Sequence, residues 1–322
     1  MILERDNTQP SEIVALFVTS DTSDIAEVGY CYALIDPAQD GQILDALRHA
    51  RTHCFLGDAS AVREVSPHLV ELPSGTYSLS SWNKLIRRGK AKPCVLLLRS
   101  NLSFDRLFSH FLDFLDVQVN DSTTMLLAWW DAAILASLLG QPNDKTLHEN
   151  GPVFTAQQRR AFVDPLIKIG YWDRTGQLQV IKVKELDETV PALSSEYLRD
   201  SVLPLKFSAD QVRLLVKATT PDQVLHELRL NQPGVLSDRS EWENYRMTCN
   251  LVDAARNYGI VGLQDMVNFT GAGMILGEEF YLHPKISGEL AAIQESKRSF
   301  SDVLKSLPPD LLLQAKKWKR ID

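Results

Sequence analysis

The run Cys94-Val95-Leu96-Leu97-Leu98 is the part of the sequence that most constrains the fold. An unbroken apolar run is typical of a strand that is buried on both faces, because successive side chains of a strand point to opposite sides of its sheet. Residues 104–115, which follow it, repeat apolar side chains at helical spacing and predict an amphipathic helix. A buried strand followed by such a helix indicates an α/β arrangement at this point of the chain.

Strand and helix patterns alternate on both sides of this run. In chain order the patterns predict a strand over 29–36, a helix over 43–51, a strand over 69–72, a helix over 78–88 that ends at Gly89, a strand over 123–130, a helix from 134, and a hairpin of 166–172 with 178–183. The alternation within 123–130 sends Trp129 and Trp130 to opposite faces. We therefore predict an α/β N-terminal lobe, a mixed sheet flanked by helices, over residues 1–185.

The remainder of the chain carries a different pattern. Residues 186–207 hold acidic residues, two prolines and little periodicity, and we predict a linker or cover segment there. From Ser208, a predicted N-cap, nearly every segment has helical spacing. Helices are expected from Ser208 onward and over about 238–258, 262–276, 284–297 and 309–318. Residues 208–322 are thus predicted to form an all-α C-terminal lobe.

Composition and charge exclude several classes of protein. The chain has 322 residues, of which 44% are apolar and 23% charged, as in an ordinary globular protein with two domains. Its formal net charge of −7 argues against a general affinity for nucleic acid or anionic membranes. No apolar run approaches the ~20 residues of a membrane-spanning helix. Without a secretory signal or a C-x-x-C pair, the four cysteines indicate reduced thiols in a cytoplasmic protein.

Sequence motifs of the common enzyme classes are missing. There is no G-x-x-x-x-G-K-[ST] phosphate loop, no G-x-S-x-G nucleophile turn and no H-E-x-x-H zinc helix. The glycines of residues 271–277 have the wrong spacing for a dinucleotide loop, which favours close helix packing. His49 and His53 would share one face of the predicted helix beside Cys54, yet no further ligand is spaced nearby. We therefore expect no catalytic, cofactor or metal site.

Two groups of side chains are candidates for binding a protein. One is a basic cluster on and just after the predicted helix 78–88, made of Lys84, Arg87, Arg88, Lys90 and Lys92; a solvated helix face is its ordinary interpretation, and docking of an acidic partner is the alternative. The other is an aromatic pair followed by an aspartate; its indoles fill the core, or one of them is exposed as an interface residue. The candidate contact residues are Trp82, Lys84, Arg87, Arg88, Trp129, Trp130 and Asp131.

A series of short segments occurs in a specific order along the chain. Its members are Tyr32-Ala33-Leu34-Ile35-Asp36, residues 67–72, 81–89, 94–100 and 104–115, Trp129-Trp130-Asp131 with residues 134–135, and more loosely residues 254–260, Asp265, Gly277 and Phe280. This order resembles that of the bacterial type VI secretion effector chaperones, also called adaptors, of the VasW and Tap kind. The family usually has an arginine before the aromatic pair and a proline after the aspartate, where this chain has Ala128 and Ala132.

The resemblance implies a non-catalytic cytoplasmic protein without a cofactor. Such a protein binds an effector, through the effector's N-terminal segment in our hypothesis, and promotes its loading onto the VgrG spike, with no role for nucleic acid or membrane. Lys84, Arg87 and Arg88 would steer the encounter. Two other classes stay open. One is an α/β hydrolase or transferase with an unrecognised polar cluster, such as His110 with Asp113 or Asp131. The other is an immunity protein that binds a toxin.

Overall fold

A computed structural model describes residues 9–18, 29–47, 49–57, 59–72, 79–186, 195–296, 298–307 and 309–310. Contacts between residues divide the chain into two compact units, Met1–Val216 and Lys217–Asp322. The first unit contains a sheet with helices on both of its faces, and the second contains helices, so the predicted fold class is confirmed.

Strands and helices alternate through most of the first unit. Its elements are α1 (Pro10–Val18), β1 (Tyr30–Ile35), β2 (Thr52–Cys54), α2 (Ser60–Arg63), β3 (His68–Glu71), α3 (Leu79–Ala91), β4 (Val95–Ser100), α4 (Phe104–Leu112), β5 (Asp116–Asn120), β6 (Thr123–Leu126), α5 (Ala132–Leu139), α6 (Ala156–Val163), β7 (Leu166–Trp172), β8 (Leu178–Lys182), α7 (Ser195–Val202) and the first part of α8 (Ala209–Asn231). Six strands form one sheet in the order β2-β3-β1-β4-β7-β8, and each adjacent pair is antiparallel. β5 and β6 form a separate antiparallel hairpin.

The apolar run before and within β4 lies at the centre of the main sheet. Leu96 and Leu98 belong to the core cluster that contains residues of α4, α5 and α6. Val95 and Leu97 belong to the cluster on the other face, which contains residues of α1 and α3. The prediction of a strand buried on both faces is therefore confirmed. Each fully buried leucine contributes roughly 1.5–3 kcal/mol through the hydrophobic effect.

The prediction of a helix over 43–51 is wrong. Among the described residues of this stretch only Asp45–Leu47 is helical, as a short 3-10 turn, and the chain then enters β2. Directly after the predicted helix, His53 in β2 is paired with Leu69 of β3 at the edge of the sheet. His49 lies in a turn, and the two histidines do not share a helix face.

Gly89 does not end a helix, although the sequence predicted that it would. α3 continues to Ala91, and Gly89 faces Trp172 of β7. A Cβ atom at position 89 would lie 2.3 Å from Cζ3 of the Trp172 indole. The glycine therefore permits close contact between helix and sheet.

The strand predicted over 123–130 is half as long as expected. β6 ends at Leu126, and the backbone then turns, with the Trp129 N–H donating to the Leu127 carbonyl at 2.8 Å. The turn breaks the alternation, so both indoles enter the same core, with 5.8 Å between the centroids of Trp129 and Trp130. The predicted hairpin of β7 and β8 is confirmed.

Within residues 186–207, the described part includes α7 and the buried side chains of Leu198, Leu205 and Phe207. Leu198 of α7 and Leu205 belong to the same core as α4 to α6. Residues 187–194 lie outside the described residues.

The second unit has a core of its own. It contains most of α8, and also α9 (Glu241–Asn257), α10 (Leu263–Leu276), α11 (Pro284–Ser296) and α12 (Phe300–Ser306). Phe269 is central, with ring centroids 5.0 Å from Phe280 and 5.1 Å from Phe300. Gly273 of α10 packs on Leu251 of α9, as the helix-packing interpretation of residues 271–277 predicted. Most of the helix predicted over 309–318 lies outside the described residues.

Candidate partner-binding surface

The exposed face of α3 carries two cations that form no ion pair with a described residue. Trp82, Leu85 and Ile86 are buried on the opposite face of the helix and fix it to the sheet. Lys84 and Arg87 lie on the exposed face. Because the buried face holds α3 firmly, these two charges are presented from a rigid element.

Arg87 also lines a shallow surface depression of about 520 Å³. Arg88, at its wall, pairs with the Asp40 carboxylate. Burial alone would raise the pKa of Asp40, but the hydrogen bond and charge of Arg88 outweigh it and lower the pKa below its usual value. Lys92 Nζ donates to the Gln39 carbonyl at 3.3 Å. Among the predicted cations, Arg88 therefore has a structural partner, whereas Arg87 remains available to a binding partner.

The three candidate tryptophans are core residues. Trp82 and Trp129 are each 1% exposed and Trp130 is 8% exposed. The Trp129 ring stacks on Phe111 with 4.6 Å between centroids. In this conformation the indoles offer a partner almost no contact area, so the core-packing alternative fits them and the interface alternative does not.

Asp131 caps a helix. Its Oδ1 accepts hydrogen bonds from the N–H groups of Ala133 (2.9 Å) and Ile134 (3.0 Å) at the start of α5. Ala132, where the family usually has proline, is buried in the core that contains residues of α4 to α6. Ala128 is partly buried and packs against this core. The role of Asp131 in this structure is thus to begin α5.

A second carboxylate lies at the end of β1. Burial raises the pKa of Asp36 to about 6, against the lowering effect of the Ala38 N–H, and the negative charge of Asp131 adds to the increase. Asp36 belongs to the first segment of the sequence resemblance and Asp131 to a later one. The fold brings the two charges close enough to interact, which the sequence did not predict.

The three residues proposed for a catalytic cluster each have another partner. His110 Nε2 lies 2.9 Å from the Phe162 carbonyl, which can only accept, so this nitrogen carries the proton. Burial lowers the pKa of His110 to about 4. Asp113 pairs with Arg199, and Asp131 caps α5. The described geometry therefore assigns all three side chains to stabilising the fold.

His53 contacts a carboxylate at the protein surface. Its Nε2 lies 3.2 Å from Asp105, which also accepts from Arg51 at 2.6 Å. In the ranges that the structure describes, no group of three or more His, Cys, Asp or Glu side chains is arranged to hold a metal ion. The four cysteines are free thiols; Cys94 is buried and the other three are partly buried.

Sequence reasoning missed one exposed feature, the hairpin of β5 and β6. All four side chains of β6 are exposed, including Met125 at 51% and Leu126 at 48%. The turn residues Asp121 and Ser122 separate two short strand-like runs and could have indicated a hairpin. Treating 123–130 as one core strand concealed this signal.

Comparison with known families identifies the segment that holds α3, β4 and this hairpin. Residues 31–149 match the family described as Domain of unknown function (DUF4123). This family is known for type VI secretion effector chaperones, or adaptors, so the resemblance seen in the sequence is confirmed over residues 31–149. The DUF4123 segment also includes the hydrogen-bonded pairs Asp36–Ala38 and Asp131–Ala133.

No curated protein and no solved structure matches the chain. None of the described helices combines the length and the apolar composition of a membrane span.

Proposed function

We propose that this chain is a non-catalytic adaptor that binds a type VI secretion effector in the cytoplasm and promotes its loading onto the VgrG spike. The observation that carries the proposal is the match of residues 31–149 to a family of effector chaperones. The effector's N-terminal segment is the proposed point of contact.

The geometry of α3 supports an encounter driven by charge. Lys84 and Arg87 project from a helix whose other face is buried, and both lie within the DUF4123 segment. Fixed charges on a rigid surface accelerate association with a partner of opposite charge. We therefore propose that an acidic region of the effector or of the spike approaches α3 first.

The polar residues considered for catalysis favour the same proposal. An acid–base catalyst needs a side chain that is free to reach a substrate proton. His110 donates to the Phe162 carbonyl in the core, and Asp113 pairs with Arg199. Both residues thus have structural roles that fit an adaptor.

The test is co-expression with the effector encoded in the neighbouring gene. We expect the two proteins to co-purify, and deletion of this chain to abolish secretion of that effector while other effectors are still secreted. Loss of co-purification together with unchanged secretion would remove the proposal. If the chain protects cells from the effector's toxicity but its deletion leaves secretion intact, the immunity-protein class is correct instead.

A further inference from the structure

The β5–β6 hairpin has one covered edge and one open edge. The Gln118 N–H donates to the Leu205 carbonyl, and the Gln118 carbonyl accepts from the Phe207 N–H, both at 2.9 Å. Residues 205–207 therefore cover the outer edge of β5. Over the described ranges, β6 pairs with β5 alone. The backbone groups along the outer edge of β6 therefore have no partner strand among the described residues.

The register identifies which backbone groups of β6 point outward. Gln118 lies opposite Thr124, and its N–H and C=O point away from β6 toward residues 205–207. In an antiparallel pair both residues of such a position direct their backbone groups outward, so those of Thr124 also point away from β5. The next such pair places Leu126 opposite Asp116. Thr124 and Leu126 thus offer two donors and two acceptors at strand spacing.

β6 is only four residues long, and its ladder with β5 is irregular between Gln118 and Asn120, but the side chains of β6 do not protect its edge from pairing. Natural proteins usually shield an edge strand with lysine, proline or an inward-pointing charge. β6 reads Thr-Thr-Met-Leu and contains none of these. Its threonines are β-branched, and the flexible thioether of Met125 adapts to varied partners. An exposed apolar edge of this kind favours aggregation unless a partner strand covers it.

The charges beside the edge specify a partner. Asp116 lies across from Leu126, and Asp121 lies in the turn before Thr123. Both carboxylates are exposed, and neither forms an ion pair with a described residue. Residues 116–126 contain no lysine or arginine. Lys206 lies beside the other edge of β5, where it forms an isolated bridge with Gln118. A strand added to β6 would therefore lie beside Asp121 at one end and about 10 Å, two strand spacings, from Asp116 at the other.

We propose that an extended segment of the effector adds to β6 as the third strand of this sheet. The segment has β-branched or apolar residues at its centre and lysine or arginine at its ends, and it exchanges backbone hydrogen bonds with Thr124 and Leu126. This inference rests on the proposed adaptor function and specifies how the adaptor holds its client.

The test compares Thr124→Pro with the matched control Thr124→Val. Proline removes the outward N–H without breaking a hydrogen bond to β5, whereas valine keeps the N–H and the β-branched shape. With the neighbouring-gene effector as the probe, we expect the proline variant to weaken binding at least about tenfold and the valine variant less than about twofold, since a buried donor or acceptor left unpaired is costly. Thermal unfolding of both variants checks that they are folded.

Hydrogen exchange on the unmodified protein tests the same point without a substitution. In the free chain we expect fast exchange at the amides of Thr124 and Leu126 and slow exchange at Met125, whose N–H faces β5. In the effector complex the two fast amides become protected.

Two outcomes would overturn this inference. If the effector binds but these amides stay fast and Thr124→Pro binds as tightly as the control, the edge is not the client site, although the adaptor function stands. If the chain alone doubles its mass and protects the same amides, a second copy covers the edge. A chain that binds no effector contradicts the adaptor function itself.

Discussion

The buried imidazole of His110 makes stability depend on pH. Its pKa falls from 6.5 to about 4 in the folded state, chiefly through burial. Above pH 6.5 it is neutral in both states, and its contribution is fully present. As the pH falls toward 4 the unfolded chain gains a proton that the folded chain excludes, so the free energy of unfolding decreases by about 3 kcal/mol.

The measurement is denaturant unfolding at several pH values between 7 and 4. His110→Gln retains an amide donor for the Phe162 carbonyl and cannot titrate, so its stability should fall less steeply over this range. If the free energy of unfolding falls equally steeply with pH in both proteins, His110 is not the cause of the pH dependence.

Asp36 has the opposite dependence on pH. Burial raises its pKa from 3.8 to about 6, so its favourable contribution is present below pH 3.8 and is lost as the pH rises through 6. Asp36→Asn keeps an oxygen for the Ala38 N–H without the charge. We expect it to increase the free energy of unfolding at pH 7.5 by about 1 kcal/mol, a value reduced for partial solvent screening.

Urea unfolding at pH 7.5 and pH 4 checks this expectation, because the gain should vanish at the lower pH. A variant that is equally stabilised at both values would show that removal of the charge is not the cause.

At the scale of single elements, α5 depends on its N-cap. Asp131 satisfies the N–H groups of Ala133 and Ile134, which have no acceptor within the helix. Replacing an N-cap aspartate by alanine costs about 1 kcal/mol, whereas asparagine still accepts the hydrogen bonds. We expect Asp131→Ala to lower the free energy of unfolding by this amount and Asp131→Asn to lower it by much less.

Denaturant unfolding of both variants provides the comparison. Similar losses in the two variants would mean that the negative charge, and not the hydrogen bonds, is what α5 requires. Because the charge of Asp131 raises the pKa of Asp36, both variants should also lower that pKa.

Elements were predictable where one local pattern was sufficient. The hairpin of β7 and β8 and the start of α8 after Ser208 follow from periodicity and turn residues close in the sequence. The helix expected over 43–51 did not form, and the chain directly after it, Thr52–Cys54, pairs with β3, a contact that no local spacing reveals. For the same reason, the contact between Gly89 and Trp172 could not be anticipated.

At the scale of the whole molecule, the charge on α3 should govern how fast a client associates. We expect the double variant Lys84→Glu/Arg87→Glu to lower the association rate constant with the neighbouring-gene effector by about tenfold at low salt. Most of this difference should disappear at 0.5 M salt, about three times physiological ionic strength, because screening shortens the range of charge interactions.

Stopped-flow or surface-binding kinetics measures this rate. Lys285→Glu/Lys305→Glu makes the same change in net charge at exposed positions of the second unit and is the matched control. An equal reduction by both double variants would assign the effect to net charge and would remove α3 as the steering surface.

Local patterns in the sequence were enough to predict the doubly buried strand of residues 94–98, the helical second unit, and the ordered segments that resemble effector chaperones. They also marked Lys84 and Arg87 as candidates, and their role in binding stays a prediction. The tertiary structure alone decided that the indoles of Trp82, Trp129 and Trp130 are buried and that, within the part of the chain that the structure describes, the outer edge of β6 is unpaired. Periodicity depends on neighbours in the chain, whereas burial and edge pairing depend on which distant segments fold against them.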